Sequence, residues 1–328
     1  MPEISERISD ITTFSNKREG VLNIPNVDEK FVGDTTSVSG AIRFRLKYPL
    51  VSLERFNLIH TGGRPSNHLR MARLARKRNS ELTHLHTLRV DVDPEQPQHT
   101  ARKKLAEMAD EITAVSKHTA QTAEDILEIE PRVVYNGVDS QVFKPGYDCP
   151  GQLSNINKET PVFLFVGSFV DRKRPGDVVE VAKKCRDAMF IMIGVGELLS
   201  EIKQESRAMN NVKILGRLPK HRLPPIYANA NGLVFPSIKE GCPNVVMEAM
   251  ASGLPIIGYR ATSMPELVSH MQTGYLAESR NTEELVEGVN TVMNSSENMG
   301  KRARRYVKTN HSFSKIAEEY CNIYKKML

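Results

Sequence analysis

Short apolar runs alternate with longer amphipathic stretches along most of this chain, and this alternation restricts the fold more than any other feature. Each apolar run has the length of a buried strand, and the stretches between repeat their apolar residues at helical spacing. Strand and helix in this order predict parallel sheets with helices on both faces. The predicted strands are FNLIHTGG, LTHLHT, ITAVS, RVVYNGVD, PVFLFVG, MFIMIGVG, VKILG, GLVFPS and LPIIGY.

The alternation is interrupted once, by KPGYDCPGQLSNINKET at residues 144–160. This segment is rich in Pro, Gly, Ser and Asn, a composition typical of an interdomain linker. A chain of 328 residues has room for two domains. We therefore predict an α/β protein of two doubly wound, Rossmann-like domains facing a central cleft, where parallel sheets bind their ligands. The predicted boundaries are 1–145 for the first domain, 146–160 for the linker, and 161–328 for the second domain with its C-terminal helices.

Composition and charge restrict the class of protein. The apolar runs are too short to span a bilayer, and the start, MPEISERISD, is polar, unlike a signal peptide. Four cysteines lie far apart without a C-x-x-C pair, so we expect reduced thiols in a cytoplasmic protein. A net charge of +6 suits an anionic partner, but the absence of tryptophan and of a recognised motif argues against nucleic acid.

Basic residues cluster in AIRFRLKYPL at residues 41–50 and in RMARLARKRN at residues 70–79. In the second cluster the charges fall near helical spacing beside an apolar stripe of Met71, Leu74 and Ala75. One interpretation is the solvated face of a helix packed on a core. The other is a helix that rests on anionic lipid headgroups, and both stay open at this point.

Two glutamates, Glu240 and Glu248, lie in the otherwise apolar run EGCPNVVMEAMASGLPII. A helix is predicted to begin near Asn244, whose side chain is a suitable cap. The first backbone N–H groups, of Asn244, Val245 and Val246, would form an anion site suited to a pyrophosphate. Carboxylates beside such a site suit the hydroxyl groups of the same ligand, a sugar on one side and a ribose on the other. The alternative, that Glu248 is a surface residue, fits poorly with its apolar neighbours.

This run resembles the signature of the retaining, nucleotide-sugar-dependent glycosyltransferases of the GT-B fold, glycosyltransferase family 4 or group 1. In that signature Glu, seven residues and a second Glu precede Ala-Met-Ala-x-Gly-x-Pro, and here the stretch is EGCPNVVMEAMASGLP. The resemblance extends over roughly residues 57–277. Its other stretches are VVYNGVDSQVFKP, FLFVGSFVDRKRP, IGVGE, VKILGRLP, ANGLVFPS and MPELVSHMQTGYL.

The resemblance implies roles for residues of the second domain. Glu240 corresponds to the catalytic glutamate that contacts hydroxyls of the transferred sugar, and Glu248 to the glutamate that holds the nucleotide ribose. Lys173 corresponds to the lysine that binds the diphosphate. The other donor-binding residues implied are Asn244, Val245, Ser168, Gly216 and Arg172. The family usually has arginine at the position of Ser168, so Arg172 or Arg174 is a candidate to replace that cation.

In the first domain the resemblance implies that His86, in LTHLHT, is a catalytic residue near the donor sugar. The acceptor loop of the family follows a strand at the N-terminus, whereas residues 1–30 show only EGVLNIPNV and no clear strand. We therefore expect this domain to be shortened or rearranged at its start. Gly62 and Gly63, the Gly-Gly turn in TGGRPSN, are the remaining candidates for the acceptor side.

Three short patterns compete with this interpretation. DVD at residues 91–93 resembles a metal-binding Asp-x-Asp, but a solvated loop is favoured. GVGE at residues 194–197 lacks the third glycine of a dinucleotide-binding turn. His60 and His84 flank strand ends and are more often structural in such positions.

We expect a metal-independent hexosyl- or N-acetylhexosaminyltransferase without a cofactor. Its partners would be a nucleotide-sugar donor and a glycan or lipid-linked acceptor, with attachment to an anionic membrane surface as a peripheral protein. Two alternatives stay open: a sugar-nucleotide epimerase of the same fold, and a non-catalytic partner subunit of a glycosyltransferase.

Overall fold

The structure is a computed structural model. It describes residues 57–62 and 65–328, and before them two strands at residues 11–15 and 27–31. The chain divides into two compact units. The first unit comprises residues 1–115, 119–134 and 313–328, and the second comprises residues 116–118 and 135–312.

The first unit contains a four-stranded parallel sheet in which the strands follow chain order, β3-β4-β5-β6. A separate parallel pair, β1-β2, precedes it, with Ile11 opposite Val27. The elements are β1 (Ile11–Ser15), β2 (Val27–Phe31), β3 (Leu58–Thr61), α1 (Pro65–Arg78), β4 (Thr83–Leu88), α2 (His99–Met108), β5 (Glu111–Ala114), α3 (Lys117–Leu127) and β6 (Arg132–Val133).

The strand pair corrects the expectation that residues 1–30 contain no strand. The sequence of β1, ITTFS, consists largely of β-branched and aromatic residues, which favour extended backbone. Five residues are too few for periodicity to distinguish a strand from a loop.

The second unit is a six-stranded parallel sheet of order β12-β11-β10-β7-β8-β9. Within this sheet the chain enters at β7 in the middle and continues to one edge through β8 and β9. It then returns to β10, on the other side of β7. This is the predicted doubly wound topology. The elements are β7 (Val162–Val166), α4 (Pro175–Lys184), β8 (Met189–Ile193), α5 (Leu199–Glu205), β9 (Val212–Gly216), α6 (Leu223–Ala228), β10 (Gly232–Phe235), α7 (Asn244–Ala251), β11 (Ile256–Tyr259), α8 (Met264–Leu267), β12 (Gly274–Ala277) and α9 (Thr282–Asn310). The last helix, α10 (Phe313–Met327), belongs to the first unit.

The central strands of the second unit are buried along their whole length. Every residue of β7, VFLFV, is buried, and so is every residue of β10 and β11. A parallel strand covered on both faces has no solvated side, so it is apolar throughout rather than alternating. This is why these strands were visible in the sequence as continuous apolar runs.

Gly194 allows the carboxyl ends of β7 and β8 to approach each other closely. Its φ is +150°, and a Cβ placed on it would lie 1.8 Å from the carbonyl oxygen of Gly167. No side chain fits there without moving the backbone. Gly194 therefore serves this close approach of the two strand ends.

The compact units differ from the predicted boundaries at residues 116–118, which belong to the second unit, and at two longer stretches. The first of these stretches is residues 135–160. The predicted linker lies within the second unit and is bonded to it. The side-chain amide of Asn229 donates to the carbonyls of Tyr147 at 3.0 Å and Asp148 at 3.2 Å. Lys213 donates to the carbonyl of Gln152 at 3.0 Å.

The second of these stretches is helix α10, which packs on the first unit although it follows the second in the chain. The Tyr324 hydroxyl lies 2.7 Å from Nδ1 of His60. Tyr320 lies beside the same histidine, with ring centroids 5.2 Å apart, and its hydroxyl is 3.4 Å from Oγ1 of Thr87. These contacts join residues far apart in sequence, so local patterns could not reveal them.

No helix among the described residues is both long and apolar enough to cross a membrane. The four cysteines are unpaired, as predicted, and three of them are buried.

Candidate active site

Two loops of the second unit meet at the point where the strand order reverses. One follows β7 and contains a 3₁₀ turn at Asp171–Lys173; the other follows β10. The backbone N–H of Ile238 donates to the Arg172 carbonyl at 2.9 Å, and the Ser237 hydroxyl donates to the same carbonyl at 3.1 Å. Doubly wound sheets bind ligands outside the carboxyl ends of the strands at this reversal.

The joined loops bring Lys173 and Glu240 into contact. Oε1 of Glu240 pairs with Nζ of Lys173 and lies 3.2 Å from Nη1 of Arg172. It also shares the single proton of the Ser237 hydroxyl with the Arg172 carbonyl. The Lys173 and Glu240 side chains are only 11% and 10% exposed, whereas Arg172 is 49% exposed. The Lys173 ammonium also lies 4.6 Å from the ring centroid of Phe235.

Burial lowers the pKa of the Lys173 ammonium, because desolvation disfavours its charged form. The adjacent Glu240 carboxylate opposes this by charge attraction and hydrogen bonding, while Arg172 lowers the pKa further. The structure therefore concentrates two cations around one carboxylate, in a place that water reaches poorly.

The backbone of Glu240 is fixed from the loop after β11. Its N–H donates to Oγ1 of Thr262 at 3.1 Å, and its carbonyl accepts from the Ser263 hydroxyl at 3.1 Å. Thr262 has a left-handed backbone with φ of +45°, an uncommon conformation for a β-branched residue. Three loops therefore determine where the Glu240 carboxylate lies.

Helix α7 begins at Asn244, on the same loop as Glu240. The residue in the cap position is Pro243, so the prediction that Asn244 caps the helix was wrong. The Pro243 carbonyl accepts the N–H of Val246 at 3.1 Å, which removes one of the three predicted anion donors. Among the described residues, the N–H groups of Asn244 and Val245 have no hydrogen-bond acceptor. These two remain the donors of the candidate anion site.

Glu248 lies one turn further along α7 and is buried, with 7% of its side chain exposed. The alternative that it is a surface residue is thereby wrong. Its Oε1 lies 2.9 Å from Nζ of Lys220, which is 69% exposed. Burial raises the pKa of Glu248, and Lys220 opposes that shift. Lys220 was not predicted as a site residue, because a single lysine on a loop carries no sequence signal.

The remaining donor-side candidates fall on the carboxyl edge of the same sheet. Ser168 is exposed on the loop after β7. Gly216 ends β9 with φ of +67°, and its carbonyl accepts the N–H of Gly194 at 2.8 Å. Arg174 is bonded to Asp177 at 2.9 Å and to Asp171 at 3.4 Å. Of the two candidate replacement cations, Arg172 is the one in contact with Glu240.

In the first unit, His86 is buried within β4. Its Nδ1 lies 2.8 Å from Oγ1 of Thr61, and the same oxygen lies 2.8 Å from Nε2 of His84. A threonine hydroxyl has one proton, so it donates to one of these histidines and accepts from the other. Burial, and then the neighbouring His84, lowers the pKa of His86 to about 3, so its imidazole is neutral at physiological pH.

The Gly-Gly turn is described only in part, since Gly63 lies outside the described residues. The N–H of Gly62 donates to Nδ1 of His68 at 3.2 Å. A Cβ on Gly62 would lie 2.9 Å from Nε of Arg89. His60 is bonded through both ring nitrogens, to Tyr324 and to Thr87, which agrees with its predicted structural role.

The DVD segment is less solvated than predicted. Asp91 is buried and accepts a hydrogen bond from the Thr119 hydroxyl at 2.9 Å, and Oδ1 of Asp93 accepts the N–H of Glu95 at 3.0 Å. Their charges act on the guanidinium of Arg102. In the part of the chain that the structure describes, no three His, Cys, Asp or Glu side chains are arranged to hold a metal ion.

Two family models match the chain in succession. Glycosyltransferase Family 4 matches residues 14–142, and Glycosyl transferases group 1 matches residues 152–310. A curated relative, N-acetyl-alpha-D-glucosaminyl L-malate synthase of Bacillus anthracis, is 29% identical over 234 residues. The match covers 68% of this chain and 61% of the relative, so the chain spans less than two thirds of that protein.

Solved structures share the fold. A sucrose-phosphate synthase from Thermosynechococcus elongatus superposes with a TM-score of 0.82 at 19% identity, covering 97% of this chain and 88% of the other. HepE from Anabaena, solved in complex with UDP-glucose, superposes with a TM-score of 0.76 at 18% identity, covering 92% and 86%. At this identity the likeness shows the GT-B fold, as predicted.

We expect Lys173 and Glu240 to be energetically coupled. Lys173→Met should lower the free energy of unfolding by ~2 kcal/mol or more, because it leaves a buried carboxylate with Arg172 as its remaining cation. In the Glu240→Gln background, Lys173→Met should lower the free energy of unfolding by ~1 kcal/mol less than it does in the wild type, or by an even smaller amount. Urea denaturation of the four proteins measures this coupling.

A matched control is Lys183→Met, since Lys183 pairs with Glu180 on an exposed helix face. Its effect should stay within ~0.5 kcal/mol. Additive effects of the Lys173 and Glu240 substitutions would show that the contact contributes nothing to stability.

Proposed function

We infer the function from the family: the chain belongs to the group 1 glycosyltransferases, glycosyltransferase family 4, and we propose that it moves a sugar from a nucleotide-diphosphate sugar to an acceptor. One observation carries this proposal. At the strand reversal of the second unit, Lys173 and Arg172 contact the Glu240 carboxylate, and helix α7, whose first two N–H groups have no acceptor among the described residues, begins at Asn244. Cations and helix N–H groups suit a diphosphate, and the carboxylate suits sugar hydroxyls.

In the proposed reaction, negative charge develops on the departing diphosphate, next to the cations and the helix N–H groups. The bond between C1 of the sugar and the β-phosphate oxygen breaks, and its electron pair stays on the diphosphate. The acceptor oxygen bonds to C1, and its proton passes to the departing phosphate oxygen. Four groups stabilise this negative charge without having to rearrange. They are the side chains of Lys173 and Arg172 and the N–H groups of Asn244 and Val245.

Lys173 can bind the Glu240 carboxylate and a donor phosphate at the same time. Its ammonium has three N–H donors, so it can keep its bond to Glu240 while it donates to a phosphate oxygen. We propose that Glu240 thereby orients the sugar relative to the leaving group. Retention of anomeric configuration follows if the acceptor attacks on the face that the diphosphate leaves. We propose a hydrogen-bonding role for His86 rather than proton transfer, since a pKa of about 3 makes its imidazole a weak base.

For the acceptor we propose a glycan or a lipid-linked glycan met at an anionic membrane surface. On α1, Arg70, Arg73 and Lys77 are exposed at helical spacing, while Met71 and Ala75 are buried. Each cation near an anionic bilayer contributes about 1 kcal/mol. The other basic segment, residues 41–50, lies outside the described residues.

Co-sedimentation with liposomes tests the membrane proposal. We expect binding to anionic liposomes at low salt, loss of binding at high salt, and weaker binding after Arg70→Gln and Arg73→Gln. The same variants should keep their activity on a water-soluble acceptor. Equal binding to neutral liposomes would contradict the proposal and leave the glycosyltransferase proposal intact.

We expect turnover to continue in EDTA, because the protein's own cations neutralise the leaving diphosphate. Activity is measured with and without EDTA, and with manganese added back. Loss of turnover in EDTA and recovery with manganese would contradict this arrangement of charges.

Glu240 and Glu248 should differ in their kinetic effects. Glu240→Ala should cost ~2 to 4 kcal/mol of transition-state stabilisation and lower kcat, since it removes a preorganised contact at the reacting sugar. Glu248→Ala should mainly raise KM for the donor, since a ribose is held alike in ground and transition states. Steady-state kinetics over donor concentration separate the two, and wild-type kcat in the Glu240 variant would refute the assignment.

Calorimetric titration against a panel of nucleoside diphosphates and nucleotide sugars tests the function as a whole. We expect one or a few donors to bind, and we expect Lys173→Met to weaken their binding. Conversion of a donor alone into another sugar nucleotide would indicate an epimerase. No binding to any donor would favour a non-catalytic subunit.

A further inference from the structure

The contact between Glu248 and Lys220 joins a buried group to an exposed one. Glu248 lies on α7 with 7% of its side chain exposed, and Lys220 lies on the 3₁₀ turn Lys220–Arg222 that follows β9. Their Oε1 and Nζ atoms are 2.9 Å apart. The ammonium keeps most of its contact with water, so the pair avoids the cost of desolvating both charges.

One buried aromatic ring contacts the lysine ammonium, and a second buried ring packs against the first. Nζ of Lys220 lies 5.5 Å from the ring centroid of Phe143, a cation–π distance. Phe143 in turn packs edge-on against Tyr227, with ring centroids 5.9 Å apart. Phe143 and Tyr227 are both buried, which makes the position of the ammonium a built feature rather than that of a free surface lysine.

Few charged or titratable groups act on the Glu248 carboxylate. Burial raises its pKa, while Lys220 and then Tyr227 favour the charged form. The Tyr227 hydroxyl is buried near the carboxylate, and its O–H group favours the ionised form. Arg304, on helix α9 packed against α7, donates instead to the carbonyl of Ala251. Lys220 is therefore the cation on which the ionised carboxylate depends.

We propose that Lys220 is a positioning residue of the donor site, which keeps Glu248 ionised and aimed so that it can accept the ribose hydroxyls. The proposal rests on the function proposed above, in which Glu248 holds the ribose. An ionised carboxylate accepts two hydroxyl groups, whereas a protonated one must use one oxygen as a donor. Lys220 acts on the nucleotide only through Glu248, so the proposal requires no contact between Lys220 and the nucleotide.

The test compares Lys220→Met with Lys220→Arg by calorimetric titration with UDP, and with GDP and ADP in parallel, between pH 6 and pH 8.5. Without its cation the buried carboxylate takes up a proton at higher pH. Lys220→Met should therefore bind the best of these probes ~10-fold more weakly than the wild type at pH 6 and nearly normally at pH 8.5. Lys220→Arg keeps the charge and should restore the wild-type profile. A loss equal at all pH values would overturn the proposal.

A second measurement needs no nucleotide. A buried carboxylate with a raised pKa in the folded state lowers stability as the pH rises through that pKa, because the folded protein holds the proton more tightly. The urea midpoint of Lys220→Met should therefore fall relative to the wild type between pH 5 and pH 8.5. In the Glu248→Gln background Lys220→Met should show no such fall. A fall that persists there, or no fall in either background, would overturn the proposal even if no probe binds and the proposed function fails.

Discussion

The carbonyl group of Arg172 accepts two hydrogen bonds from the loop after β10, and the candidate site depends on that contact. The two loops are far apart in sequence, and the reversal of strand order makes them neighbours. Once the loops are joined, Lys173, which follows Arg172, and Glu240, which follows Ile238 by two residues, lie in contact. The site is thus a product of sheet topology, with the charges added at its edge.

Much of the second unit could be predicted because its signals are local. Strands buried on both faces are apolar throughout, and their order with the helices predicts a parallel sheet. Glu240 and Glu248 lie on one loop and the helix that follows it, so their spacing alone placed both near the helix start. The burial of Glu248 agrees with its apolar neighbours in the sequence.

The features that were missed are contacts between distant segments or details of backbone geometry. Lys220 reaches Glu248 from another loop, and no periodicity marks a single exposed lysine. Residues 144–160 have the composition of a linker, yet Asn229 bonds them to the second unit. At the start of α7 both Pro243 and Asn244 suit a helix terminus, and only the backbone dihedral angles distinguish cap from first turn.

The packing of α10 on the first unit has a consequence for how the chain folds during synthesis. Apart from residues 116–118, the second unit is one contiguous stretch, residues 135–312. The first unit, in contrast, includes Tyr320 and Tyr324 of α10. Domains usually fold in the order in which they leave the ribosome. Here the order is inverted: the unit whose synthesis begins first is completed after the second unit, and His60 stays without its tyrosine partner until α10 has been synthesised.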